Sequence, residues 1–431
     1  MTSARDHLEA CLARIDDPAG EGQRAFLRVY HETARQAADA ADARASAGLS
    51  LGPLDGAIVS IKDLFDVAGE STTAGSVALR DAPPAVRDAP VVARLRQAGA
   101  VIIGRTNMTE FAYSGVGLNP HYGTPGNPAD RTRIPGGSSS GAGVSVADGM
   151  AEIAIGSDTG GSVRIPSALC GLVGFKPTKS RVPCDGAFPL SFTLDSIGPL
   201  ARSVADCAIA DAIMAGEAPQ PLTPAPLAGL RLGLPRELIG SGTDESVARA
   251  MEGALKALAG AEARFSDESL APLLDAMTSA NAQGGFTAAE AFAAHRAMLG
   301  ARGAQYDPRV RTRIERGGDI SAADYIRLQQ HRAALVAAMD ERLADLDALV
   351  LPTTPIVAPR MDAFERDEDF TRLNVLLLRN CSVANFFDLC AISLPVPEPG
   401  PLPVGLMLVA RNGQDHRLLR IAAAVEKLLR N

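Results

Sequence analysis

Three short runs, Ala57-Ile58-Val59-Ser60-Ile61, Val101-Ile102-Ile103 and Ile153-Ala154-Ile155, are apolar on both pleats and separated by segments of helical periodicity. A strand with apolar side chains on both pleats has no face to give to water, so both sides of its sheet must be covered. Strands alternating with helices of this kind predict a mixed, largely parallel central sheet sandwiched between helical layers, an α/β fold. Asp88 and Pro90 supply N-cap and N1 residues for a helix through Ala98, Gly99 ends it, and a small-residue helix is expected from Ala142 to Asp148.

The same reading extends along the chain. Leu8, Cys11, Leu12 and Ile15 fall on one helical face, and a second Ala-rich amphipathic run follows from Ala25 to Ala47. Gly52-Pro53-Leu54-Asp55-Gly56 breaks that pattern, which leaves Lys62 at the end of a buried strand. Between Pro219 and Pro226 the composition shifts to Pro and Ala, and Glu245 to Leu346 reads as mostly helical with one loop at Gly317-Gly318. Strand patterning returns at Asp347 to Pro355, Cys390 to Pro395 and Val404 to Val409, before an amphipathic helix from Arg417 to Leu429. The C-terminal part is therefore expected to complete the N-terminal sheet. That predicts one domain over 1–431: N-terminal helices (1–50), a catalytic core (51–220), a mainly helical variable region (221–345) and the closing segment (346–431).

Composition excludes several classes of function. A net charge of −8, with no cluster of Lys or Arg able to neutralise a run of phosphates, argues against nucleic acid as a direct partner. Nowhere do enough consecutive apolar residues occur to span a bilayer, and the first thirteen residues lack a signal-peptide core, so a cytoplasmic protein with no membrane partner is expected. The six cysteines form no CxxC pair and the six histidines no HExxH, so free thiols, no metal and no cofactor are expected. A homodimer is left open.

The densest chemical signal is a pair of Gly/Ser loops, Pro135-Gly136-Gly137-Ser138-Ser139-Ser140-Gly141 and Gly156-Ser157-Asp158-Thr159-Gly160-Gly161-Ser162-Val163-Arg164-Ile165-Pro166. Glycine lets backbone N–H groups approach a ligand closely, so the second loop is suited to present the Thr159, Gly160, Gly161 and Ser162 amides to an oxyanion. A hydroxyl placed there needs a base. No histidine lies in a comparable motif, whereas burial disfavours an ammonium and makes Lys62 a candidate, with Ser138 available as the relay. Gly137-Ser138-Ser139-Ser140-Gly141 also fits G-x-S-x-G centred on Ser139, but the charged, Pro-terminated residues before it do not form the hydrophobic strand such an elbow requires.

These two loops, with Ile61-Lys62-Asp63-Leu64-Phe65-Asp66-Val67-Ala68-Gly69 and Cys170-Gly171-Leu172-Val173-Gly174-Phe175-Lys176-Pro177-Thr178, strongly resemble the amidase-signature family. The resemblance covers nearly the whole chain and is weakest over 1–45 and 240–345. It implies a Ser–cis-Ser–Lys triad in which Ser162 is the nucleophile, Ser138 follows a cis bond from Gly137, and Lys62 is the base. Asp158 and Arg164 resemble a supporting ion pair. The implied activity is hydrolysis of a small-molecule amide through a seryl acyl-enzyme. The motifs leave carbamate and urea-type bonds open, and also the amidase component of a tRNA-dependent amidotransferase. That component carries a Tyr-Asp-Gly element, which this sequence lacks; Asn380 to Asp388 stands in the corresponding region. In a chain with 13 Phe, 5 Tyr and no Trp, Met108, Phe111 and Tyr113 in one loop and Phe386 and Phe387 in another are expected to line an apolar pocket for an aryl or short alkyl acyl group. Arg372 or Arg379 would serve instead if the substrate carried a carboxylate.

Overall fold

A computed structural model describes residues 3–240, 242–397 and 400–430. Eleven strands form one sheet: β1 (Phe26–Val29), β2 (Ile58–Lys62), β3 (Val101–Thr106), β4 (Ile153–Asp158), β5 (Val173–Lys176), β6 (Ser196–Ala201), β7 (Arg231–Pro235), β8 (Arg264–Glu268), β9 (Ala348–Pro352), β10 (Cys390–Val396) and β11 (Val404–Ala410). Their spatial order is β1-β3-β2-β4-β6-β5-β10-β11-β9-β7-β8. The sheet is mixed. Parallel pairing joins β3, β2 and β4 at one side and β9, β7 and β8 at the other, with antiparallel pairs between them.

Strand alternation divides the core as the sequence pattern requires. Ile58, Val101 and Ile103 pack with Leu8, Leu12 and Ile15 of the Ala4–Asp16 helix on one face. Val59, Ile61, Ile102, Ile153 and Ile155 point to the other face, where Val91, Val92 and Leu95 of the Pro90–Gln97 helix cover them. Chain segments distant in sequence meet at the sheet centre, where β10 pairs with β5 through Ala391 and Lys176. All six cysteines are free, and among the described residues no helix is long and apolar enough to cross a membrane.

Several local expectations are corrected. The run from Ala25 is not one helix: Phe26–Val29 forms an edge strand pairing with β3, and the helix begins at His31. Ala89, not Asp88, is the N-cap of the Pro90–Gln97 helix; Asp88 instead accepts the Ala68 amide (2.8 Å) and pairs with Arg96. The 245–346 region contains strand β8, and its Gly317-Gly318 loop is a 3-10 turn, Arg316–Asp319. Phe386 and Phe387 stand at the end of a 20-residue helix, Asp367–Phe386, rather than in a loop.

Candidate active site

Lys62 is the last residue of β2, fully buried, and its Nζ lies 2.7 Å from Ser138 Oγ and 2.9 Å from Ser157 Oγ. Among the described residues no carboxylate pairs with it. Burial drives its pKa down to about 7, against the smaller opposing pull of the more distant Asp195 and Asp158 charges. Such an amine is unprotonated in a substantial fraction of molecules near neutral pH, within reach of two hydroxyls.

The first Gly/Ser loop carries Ser138 beneath that amine. The Gly137–Ser138 peptide is cis. Thr109 N–H donates to Ser138 O (3.0 Å) and Gly137 N–H to Gly115 O (2.9 Å), which fix the turn from both sides. Gly141 enters the Ser140–Ala147 helix where a Cβ would come within 2.2 Å of Ala25 O, so only glycine permits this seating of the loop.

The second loop leaves β4 through Ser157 and Asp158. Asp158 accepts the Gly161 amide at 2.8 Å and the Val163 amide at 3.1 Å. It also accepts Arg164 Nη2 at 2.8 Å and Asn385 Nδ2 at 2.9 Å. Burial alone would raise its pKa, but the Arg164 guanidinium and these hydrogen bonds hold it below the usual carboxylate range. The carboxylate thus staples the turn that presents Ser162, and Ser139 N–H ties the two loops together by donating to Ser162 O at 3.3 Å.

Ser162, Thr159 and Gly160 line a cavity of about 610 Å³. Gly161 is turned away: its amide is committed to Asp158, and at φ +131° a Cβ there would meet Cys381 Cβ at 2.5 Å. Three of the four expected oxyanion-binding residues therefore stand at the cavity. Of the expected pocket residues, Tyr113 and Phe386 line it and the others do not. Phe111 lies in the core against His295, Tyr306 and Phe188, because the backbone turns left-handed at Phe111 and Ala112. Met108 is fully buried, and Phe387 packs behind Phe386 with ring centroids 5.1 Å apart. Arg379 reaches the cavity wall, whereas Arg372 is exposed and bound to Asp369.

Sequence reasoning missed three supporting residues. Ser157 is the second hydroxyl on Lys62, Asn385 bridges Asp158 and Arg164, and Asp195 accepts Thr159 Oγ1 at 2.5 Å and the Leu190 and Ser191 amides. Burial raises the Asp195 pKa to about 6 against those hydrogen bonds. Ser157 and Asn385 fall inside motifs already singled out, so their signal was present. Asp195 carries no local mark. Among the described residues no three His, Cys, Asp or Glu side chains gather to hold a metal ion.

A buried amine within hydrogen-bond reach of two hydroxyls thus lies on the loops whose Thr159, Gly160 and Ser162 line the cavity. Residues 6–419 match the Amidase family, and the chain belongs to it: a hydrolase acting on carbon–nitrogen bonds. It is 38% identical over 402 residues to the 2-amino-5-chloromuconic acid deaminase of Comamonas testosteroni, covering 92% of this chain and 86% of that protein. It is 37% identical to a glutamyl-tRNA(Gln) amidotransferase component of Anaeromyxobacter sp. (strain K), covering 99% of this chain and 93% of that one. The crystal structure of an amidase superposes with a TM-score of 0.88 at 33% identity, over 99% of this chain and 96% of that one.

Proposed function

We propose that the protein hydrolyses a small carboxamide through a seryl acyl-enzyme, with Ser162 as nucleophile, Ser138 as relay and Lys62 as base. The observation that carries this reading is the 2.7 Å contact between Lys62 Nζ, buried without an acidic partner, and Ser138 Oγ. In the first half-reaction Ser162 Oγ bonds to the amide carbon, its proton passes to Ser138 Oγ, and the Ser138 proton passes to neutral Lys62. The oxyanion forms beside the Thr159, Gly160 and Ser162 amides. Lys62 then returns a proton through Ser138 to the nitrogen, the C–N bond breaks, and ammonia or an amine leaves. Water repeats the sequence on the acyl-enzyme, releasing the acid and restoring the Ser162 hydroxyl.

Free-standing hydrolysis is preferred to glutamine-dependent amidotransfer. The Tyr-Asp-Gly element of the amidotransferase is missing, and Asn385, in the corresponding stretch, is consumed by Asp158 and Arg164. One eleven-stranded sheet, with strands drawn from Phe26 to Ala410 and edges at β1 and β8, supports treating 1–431 as a single working domain.

The direct test is intact-protein mass spectrometry during turnover of an amide, with hydroxylamine added to partition the intermediate. The expected result is an acyl adduct on Ser162 and hydroxamate as a product. Turnover with water incorporated directly, with neither adduct nor hydroxamate, would overturn the covalent route.

The pH profile tests the base. Lys62 acts only when deprotonated, so kcat/KM is expected to rise about tenfold per pH unit up to about 7 and level off above it. Protonation of Asp195 near 6 should steepen the acid limb by loosening its hold on Thr159. A rise that continues toward the ordinary lysine value of 10.5 would mean that a solvated amine, not buried Lys62, controls the rate.

A further inference from the structure

We infer that the cavity takes an amide whose far end carries a carboxylate and no ammonium group, the carboxylate docking on Arg313 and Arg316. The inference rests on the hydrolase reading above for the position of the scissile bond, and on a separate set of residues for the far end.

Arg313 is half-buried in the cavity wall, its guanidinium 4.9 Å from the Phe370 ring centroid and 5.8 Å from that of Tyr113. One of its N–H groups donates to Tyr113 O. Arg316, one turn further on, lines the same cavity. Among the described residues neither makes an ion pair, and the Asp307 charge acts on Arg313 only from longer range. Their neighbours are paired: Arg309 with Asp367 and Arg311 with Glu315, each at 2.7 Å. Two adjacent guanidinium groups without an ion-pair partner repel each other, and the partly desolvated one is costly to leave unpaired. A carboxylate entering from solvent satisfies both, because the planar fork of arginine matches its two oxygens.

The other charged residues on the wall are already engaged. Glu237 accepts Ser269 Oγ at 2.8 Å and the Leu270 and Ala271 amides, hydrogen bonds that keep its carboxylate ionised against partial burial. Arg379 donates to Asn380 Oδ1 and Leu238 O. Much of the remaining wall is apolar, including Ala112, Leu274, Met277, Val383 and Phe386, and suits a methylene body. The chemistry that fits is the monoamide of a dicarboxylic acid. An α-amino acid amide such as glutamine brings an ammonium group beside its carboxylate, where the Arg313 and Arg316 guanidinium groups repel it.

The test measures kcat/KM for monoamides from succinic to suberic acid, each against the neutral alkanamide of equal length, and for glutaric monoamide against glutamine. At the best length the acid is expected to exceed its neutral counterpart by about 10- to 100-fold, the range of one charge-assisted bidentate contact. Glutaric monoamide should exceed glutamine by at least about tenfold on the same scale. In Arg313→Leu the acid-to-neutral ratio should fall toward unity; Arg313→Lys, which keeps the charge but loses the fork, should fall between. Arg316→Gln should lower the ratio less, since its side chain is exposed. Because Arg313→Leu also removes the contact with Phe370, binding is measured in parallel. The Ser162→Ala protein should bind the monoamide by calorimetry, and adding Arg313→Lys should weaken that binding. Neutral amides used as well as their acids at every length, or a ratio untouched in the folded Arg313 variants, would overturn the clamp while leaving the hydrolase reading standing. Glutamine used as well as glutaric monoamide would overturn the exclusion of an ammonium. Binding of the monoamide that depends on Arg313, with no amide turned over, would uphold the clamp and sink the hydrolase reading instead.

Discussion

Ser162→Ala is expected to lower kcat by at least about four orders of magnitude while the protein still folds and binds substrate. In the proposed mechanism, loss of Ser162 removes the covalent route entirely, and residual rate would come only from water attacking an amide polarised by the loop amides. Ser138→Ala and Lys62→Met should each cost nearly as much. In the proposed mechanism the three groups act on one proton, so the losses should not add: the triple variant is expected to be about as slow as the worst single one.

Lys62→Met carries a second signature that a structural lysine would not give. The folded protein holds this amine with a pKa of about 7, whereas an unfolded chain holds it near 10.5. Between those values the unfolded state binds the extra proton, so the group opposes folding increasingly as pH falls from 10.5 toward 7. Replacing it with an apolar side chain of similar length should therefore raise the melting temperature at neutral pH while abolishing turnover. Measured together, kcat and Tm across that window decide the matter. Near-normal kcat in folded Lys62→Met, or a melting temperature that drops, would contradict the assignment of Lys62 as a desolvated base.

What the sequence made legible follows a physical division. Lys62 could be placed at a strand end because four of the five residues before it are apolar, and a run of that length is set by local chemistry. The two loops announced themselves through glycines that close backbone approach demands, as at Gly141 and Gly161. Edge elements were not legible. Phe26–Val29 is four residues between helices and owes its strand form to pairing of Phe26 with Thr106 and Val29 with Gly104, partners far along the chain. Arg264–Glu268 is polar and mostly exposed, so no alternation marks it, and its pairing with β7 alone defines it. Phe111 was misplaced for a different reason: it and Ala112 adopt positive φ without a glycine to signal the turn, and that turn sends the ring into the core. Arg313 sits in Pro-Arg-Val-Arg-Thr-Arg-Ile-Glu, a segment that reads as a solvated helix until the fold brings Tyr113 and Phe370 around it.

Asp158→Asn is the substitution expected to cost the most stability, about 3–5 kcal/mol, because it orphans a buried charge. Arg164 is fully buried, and without Asp158 its partners reduce to Asn385 Oδ1 at 2.7 Å and Met407 Sδ at 3.3 Å, neither of which neutralises it. The asparagine keeps the shape, but its amide NH₂ must face at least one of the donors that Asp158 now accepts, from Gly161, Val163, Arg164 and Asn385. Folding then leaves a donor against a donor in a fully buried site. Activity should fall as well, since the carboxylate shapes the turn that carries Ser162 to the cavity. The urea midpoint measures the stability loss, and adding Arg164→Met to Asp158→Asn should recover part of it, because the orphaned guanidinium leaves with its counter-ion. The pair also predicts an acid limit. Asp158 is held below its unfolded pKa, so its contribution is complete above about pH 4 and is lost only as pH falls through the depressed folded value. A wild-type urea midpoint in Asp158→Asn, or no recovery in the double variant, would show that the turn is held by its backbone alone and that the ion pair is incidental to presenting Ser162.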